Sequence, residues 1–353
     1  MTSAMSPNPA VVFVILDGVG ARQVRPDRMP ALHSLAVSGA WRPDGSQAVM
    51  CSATYPNVLT LVTGSPPAEH RVFANALFGH ASTEGARTRT IFERAAPFTS
   101  EFVVGDQYLI DVAKGRTAGR HWPPEGILPA STALDEFGYA ADAAVLPHAI
   151  AAAQRRPDLL AVHFNGPDTA SHLHGPNSAA AIESYRTTDT ALAAFLETLR
   201  PRWDELLVLI TSDHDQESVD DEQRIDLAGL AVTRGIDAVV FHEGTAAVVV
   251  GPDAGDERWL TGVPGIEGSW LCEPGVRLVT STAHGWFATP EYPGRGGGHG
   301  GHRTRDQVAV ATGGHPMVAQ IAHAWHHQRP RAQDWAPLVL SALGVGAAAA
   351  PGY

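Results

Sequence analysis

Residues 11–16 read VVFVIL, an unbroken apolar run rich in β-branched residues. A strand with one face in water alternates apolar and polar residues, so a run like this is buried on both faces. That is the situation inside a parallel sheet covered by helices on each side. Two further strand patterns follow at residues 159–164 (LLAVHF) and 206–211 (LLVLIT). Segments with helical spacing lie at residues 30–38, 57–63 and 179–199. Strands alternating with helices over this length predict an α/β fold, a doubly wound and mostly parallel sheet flanked by helices. Each of the three runs is followed closely by an aspartate, Asp17, Asp168 and Asp213. In doubly wound sheets, functional groups gather at the carboxyl ends of strands. One strand-end aspartate is often a helix cap or turn former; three of them, two with a histidine nearby, point to a shared site.

The pattern changes between residues 217 and 298. Residues 228–235, 238–241 and 246–250 suggest a helix or turn with short strands, followed by loops rich in Gly and Pro. This predicts a smaller inserted cap (217–298) on a core formed by residues 1–216 and 299–353. Residues 293–301 (PGRGGGHGG) have the composition of a flexible connector that brings His299 back to the core. Residues 308–311, 315–327 and 335–343 would then add a strand and two helices.

With 37 Asp and Glu against 25 Lys and Arg, the 353-residue chain has a formal charge of −12. That balance excludes broad attraction to a nucleic acid polymer, but not a small anionic substrate, because bound metal ions invert the local field. No apolar run approaches bilayer-spanning length, so no membrane partner is expected. The first ten residues, MTSAMSPNPA, lack the basic and apolar regions of a signal peptide. With only Cys51 and Cys272 present, the expected setting is cytoplasmic.

Carboxylate oxygens and imidazole nitrogens are ligands for divalent cations. Asp168 and His172 in GPDTASHLHG are four residues apart, close enough to chelate one ion from a single turn; a helix cap beside a surface histidine would look the same. Asp213-His214 would need a turn in the chain to serve one ion together. In CSATYPNVLTLVTG, Thr54 stands just ahead of the expected helix start, where free backbone N–H groups and the helix dipole favour anions. Its commoner role there is an N-cap; as a nucleophile it needs a metal to lower its pKa.

The order VILDG, T-Y-P-N with T-L-V-T-G, P-D-x-x-S-H-x-x-G-P, S-D-H and G-G-H-G resembles the alkaline-phosphatase superfamily, and within it the nucleotide pyrophosphatase/phosphodiesterase branch. The blocks frame the chain from residue 11 to about residue 313. The resemblance implies two divalent metal ions, zinc by preference with manganese as the alternative. Asp17, Thr54, Asp213 and His214 would surround one, and Asp168, His172 and His299 the other, with His302 and His284 as rivals of His299. It also implies that Thr54 forms a phosphothreonine and that Asn75 hydrogen-bonds a phosphoryl oxygen. The expected partner is a small phosphorylated substrate, such as a nucleotide, undergoing diester or pyrophosphate cleavage.

Two departures stand out: Asp215 and Gln216 follow the S-D-H motif where a glycine is usual, and Tyr55 stands where phenylalanine is common. The sulfatase pattern is missing. Phosphonoacetate hydrolase, which cleaves a C–P bond, is the main rival, since His299-Gly300-Gly301 resembles its H-G-G context. A phosphomonoesterase and a non-catalytic binding member are further alternatives. The cap and residues 78–139 are expected to line the leaving-group pocket, with Phe73, Phe78, Trp122 and Tyr139 as candidates to stack on a flat group.

Overall fold

The computed structural model describes residues 10–75 and 88–345. Its core is a seven-stranded sheet. In chain order the strands are β1 (Ala10–Leu16), β2 (Ala40–Trp41), β3 (Ser100–Val104), β4 (Arg120–Trp122), β5 (Leu159–Phe164) and β6 (Leu206–Thr211). After a second sheet made of β7 (Val239–Glu243), β8 (Ala246–Val250), β9 (Ile266–Glu273) and β10 (Val276–Ser281), the chain returns as β11 (Ala309–Thr312). The central order is β2-β11-β6-β1-β5-β3-β4. β1 pairs in parallel with both β5 and β6, with Val14 opposite Val162 and Ile210, whereas β11 runs antiparallel to β6 and β2.

Strand alternation divides the apolar runs between two cores. Phe13, Ile15, Leu207 and Leu209 face one side with Val58, Leu59 and Trp335. Val12, Val14, Val162 and Ile210 face the other with Tyr185, Leu192 and Phe195. Helices α1 (Pro30–Ser38), α3 (Asp142–Arg155) and α5 (Ala179–Glu197) therefore cover one face. Helices α2 (Thr54–Thr63) and α7 (Trp335–Ala342) cover the other; α4 (Gly166–His174) follows β5 directly, and α6 (Met317–His327) precedes α7. Among the described residues, no helix is long and apolar enough to cross a membrane.

The second sheet, antiparallel in the order β7-β8-β10-β9, buries Ala247, Val249 and Val279 against Trp259 and Phe287 on one face. Its other face packs Val248 and Leu278 on Cys51, Ala53 and Phe73, beside the start of α2. The hairpin of β9 and β10 falls where the composition predicts Gly- and Pro-rich loops. Its glycines at 265 and 275 have φ of +83° and +81°, marking turns at the strand ends, and turns are what such a composition registers.

The segment with the composition of a flexible connector is also ordered. Gly297 and Gly298 pair with Ser218 and Glu217, and Gly297 through Gly300 are buried. Here the glycines serve close approach between backbones rather than mobility.

Candidate active site

The carboxyl ends of β1, β5 and β6 lie side by side, and the alternation that directs Phe13, Leu209 and their neighbours toward α2 continues to Asp17, His163 and Asp213. Asp17, Asp213 and His214 form one group of potential ligand atoms lying within 4.8 Å of one another, and Asp168, His214 and His299 form another. His214 thus belongs to both. His172 stands beside the second group, its Nε2 3.4 Å from Asp168 Oδ1. Asp168 and His172 occupy successive turns of α4, as their four-residue spacing requires. Gly18 lets the groups approach: it has φ +68°, and a Cβ there would lie 2.8 Å from Asp168 Cα.

The three histidines share one orientation. Nδ1 of His172, His214 and His299 each lies 3.1 Å from a backbone carbonyl oxygen, of Gly297, Asp215 and Ser52 respectively. A carbonyl only accepts, so each Nδ1 carries a proton and each Nε2 is the nitrogen turned to the site. Metal-binding histidines are commonly fixed in this way. Burial, before any charge effect, pushes His172 down to about 4 and His299 well below the ordinary histidine value.

The carboxylates are equally telling. Asp17 Oδ1 and Asp213 Oδ2 are buried without a hydrogen-bond partner among the described residues, 3.6 and 3.2 Å from His214 Nε2. Lone pairs converging in a buried space repel one another, and a buried carboxylate is tolerated when paired or coordinated. Burial, followed by the charges of Asp213 and Asp168, raises Asp17 well above the carboxylate range. No Lys or Arg pairs with Asp17, Asp168 or Asp213 among the described residues. The donor set and its orphaned oxygens therefore fit divalent cations.

Thr54 is the first residue of α2, with Ala53 as N-cap. The helix starts three residues earlier than the sequence pattern suggests, because Pro56 falls in the first turn, where its missing N–H is harmless. Thr54 Oγ1 lies 3.3 Å from His214 Nε2. Asn75 accepts a hydrogen bond from the Tyr55 amide through Oδ1 (2.9 Å), which leaves Nδ2 as its donor end. Asp17, Thr54, Asn75, Asp168, His172 and His299 open on a cleft of about 320 Å³. His302 and His284 are exposed, one beside Glu267 and the other bonded to the Ser218 carbonyl.

A match to the family model for type I phosphodiesterase/nucleotide pyrophosphatase extends over residues 11–261. The chain belongs to this family. Among relatives of this phosphodiesterase-family chain, a Xenopus laevis bis(5'-adenosyl)-triphosphatase, enpp4, is 23% identical over 227 residues, 59% of this chain and 47% of that protein. A Rattus norvegicus ectonucleotide pyrophosphatase/phosphodiesterase family member 3 is 22% identical over 60% of this chain and 26% of its own length. The chain thus matches about half or less of each. Among solved structures, an inactive threonine-to-alanine variant of murine ectonucleotide pyrophosphatase/phosphodiesterase 5 with AMP superposes with a TM-score of 0.74 at 15% identity, covering 98% and 97% of the two chains. Phosphonoacetate hydrolase from Sinorhizobium meliloti 1021 in complex with phosphonoacetate gives 0.71 at 19% identity, covering 96% and 97%. Both likenesses place the chain in the alkaline-phosphatase-like fold, as the order of its motifs implies.

Several residues beyond the motifs complete the site. His163, fully buried in β5, lies 3.1 Å from Asp17 Oδ2 through Nε2; burial lowers it to about 4, so it is a neutral donor. A lone histidine in an apolar strand is the signal the sequence offers for it. Gln216, one of the two departures after S-D-H, donates through Nε2 to Asp168 Oδ1. Asp215, the other, pairs with Arg22 at 3.1 Å. Of the four aromatic candidates, Tyr139 lines the cleft, together with Phe137, Trp286 and Tyr292. Phe73 instead packs under the second sheet, and Trp122 stacks on His148 with ring centres 4.2 Å apart. Phe78 lies outside the described residues.

Proposed function

We propose that this chain is a metal-dependent hydrolase that cleaves a phosphodiester or pyrophosphate bond through a phosphothreonine on Thr54. The supporting observation is the placement of the Thr54 hydroxyl at the head of α2, 3.3 Å from the histidine common to both ligand groups. Asp17, Thr54, Asp213 and His214 would hold one divalent cation, and Asp168, His172 and His299 the other, with zinc favoured by the mixed imidazole and carboxylate set. Bound ions there supply Lewis-acid stabilisation of charge on the attacking, leaving and non-bridging oxygens.

The chain's own groups do the rest. Thr54 loses its hydroxyl proton to solvent and its Oγ1 attacks phosphorus as the bond to the leaving oxygen breaks. Water then attacks the phosphothreonine, the Oγ1–P bond breaks, and Thr54 regains a proton. Asn75 Nδ2 and the Thr54 backbone amide, which has no partner among the described residues, donate to the non-bridging oxygens. The nucleotide-bound neighbour inactivated by a threonine-to-alanine change fits an essential threonine. A second reading, C–P cleavage, is favoured by the likeness to phosphonoacetate hydrolase.

Elemental analysis of chelator-free protein, with hydrolysis of bis-p-nitrophenyl phosphate, p-nitrophenyl phosphate and phosphonoacetate, tests this. Two equivalents of metal and diester cleavage that drops at least 1,000-fold in Thr54→Ala, on the order of 4 kcal/mol, are expected. Preference for phosphonoacetate moves the reading to C–P chemistry. Protein inert on all three substrates after zinc or manganese addition overturns it.

A further inference from the structure

Arg295 is the one permanently cationic side chain lining the cleft among the described residues. It comes from the segment leading to His299, and an arginine near a surface normally finds a carboxylate. Arg22 does so with Asp215, Arg71 with Glu273, and Arg303 with Glu217 and Glu267. Arg295 has no ion pair with a carboxylate among the described residues. Its guanidinium is held by rings instead, 4.8 Å from the centre of Phe137 and 4.9 Å from that of Tyr292, whose hydroxyl accepts a hydrogen bond from it. Stacking fixes the plane of the guanidinium while leaving N–H groups for a ligand.

Its position is set by a series of contacts leading away from the nucleophile. Thr54 touches His214. The His214 ring stacks on His299 at 3.8 Å, His299 meets His172 at 4.8 Å, and His172 meets Phe137 at 5.8 Å. Phe137 then carries Arg295. The arginine is thus joined to the second ligand group through Phe137 and His172, whereas Thr54 contacts His214. In an in-line displacement the leaving group departs opposite the nucleophile.

We propose that Arg295 is a specificity-determining residue that binds an anionic group carried by the leaving group, so that the preferred substrate has a second phosphate or a carboxylate beyond the bond that breaks. This rests on the Thr54 phosphohydrolase reading. Asp106 and Glu243 also line the cleft, so among its permanently charged side chains Arg295 is the one that attracts an entering anion. A planar guanidinium accommodates phosphate or carboxylate through paired charge-assisted hydrogen bonds. A phosphate there means a pyrophosphate linkage is cleaved, and a carboxylate means a phosphonate.

The test has a kinetic and a binding arm. Relative to bis-p-nitrophenyl phosphate, whose leaving group bears no second acid, kcat/KM for ATP or for phosphonoacetate should fall at least tenfold in Arg295→Met. Arg295→Met keeps the stacking bulk, and Arg295→Lys should recover part of the loss. Dependence confined to ATP identifies phosphate, and dependence confined to phosphonoacetate identifies carboxylate. In zinc-loaded Thr54→Ala, calorimetry should show the preference for ATP or phosphonoacetate over AMP shrinking at least tenfold when Arg295→Met is added. Equal losses on all substrates, or none, in both arms overturn the proposal. A wild-type protein inert on every substrate, with the Arg295-dependent binding preference intact, overturns the phosphohydrolase reading alone.

Discussion

An imidazole sealed inside an apolar strand is destabilising unless its polar atoms are used. His163 has no exposed surface, and its one hydrogen bond goes to Asp17 Oδ2. The Nδ1 atom has no partner among the described residues, a penalty that a leucine would avoid. The compensating gain is the orientation of Asp17: with Oδ2 held by His163, Oδ1 is turned toward His214 and Asp213. Groups that orient metal ligands in this way typically change affinity 10–100-fold. His163→Leu should therefore weaken zinc binding by that factor, measured by competition with a chromophoric chelator, while His163→Gln, which keeps a donor, recovers part of it. Unaltered affinity in His163→Leu would make the histidine a packing residue only.

At the scale of elements, the parallel sheet is legible in the sequence because its three central strands are long, apolar and ended by aspartates, and parallel strands present their carboxyl ends at one edge. Asp17, Asp168 and Asp213 converge for that reason. Contacts between distant segments are not legible. Gln216 on Asp168, Arg295 on Phe137 and the seating of the second sheet on the start of α2 join segments far apart in the chain, and no local pattern encodes them. The glycine-rich segment shows the difference most clearly, since composition cannot separate mobility from tight packing. Gly300 has φ +109°, and a Cβ there would lie 2.3 Å from the Glu243 carbonyl oxygen. Its carbonyl accepts a hydrogen bond from the Ser52 amide at 3.1 Å, tying it to the loop whose carbonyl orients His299. Gly300→Ala should destabilise the protein by about 2 kcal/mol or more, combining a backbone penalty with the displacement of β7, and should lower the zinc stoichiometry. Gly138 is also at positive φ, but a Cβ there would meet nothing within 4 Å, so Gly138→Ala should show the backbone penalty alone. Equal losses of melting temperature in the two variants would mean that the close approach at Gly300 contributes nothing.

For the whole molecule, the site is a source of instability that bound cations would relieve. Asp17, Asp168, Asp213, His172, His214 and His299 are all buried, and they are supplied by β1, α4, the turn after β6 and the segment that follows the second sheet. Folding therefore brings carboxylates and lone pairs together from residues 17 to 299 of the chain. Cations bound there would hold the sheet edge and the returning segment to one another, and would bind the folded chain far better than the unfolded one. By linkage, free metal at 100 times its dissociation constant stabilises by about 2.7 kcal/mol per site, or roughly 5 kcal/mol for two. With an unfolding entropy of about 2 cal/mol/K per residue, a chain of 353 residues should then melt on the order of 5–10 °C higher with zinc than with excess chelator. The same shift should be much smaller in Asp17→Asn, which removes a ligand charge and also relieves repulsion in the metal-free protein. That variant should accordingly melt above the wild type in chelator and below it in zinc. Calorimetry on both proteins under both conditions gives four melting temperatures, and absence of the crossover would show that the buried acidic cluster is not organised around a cation.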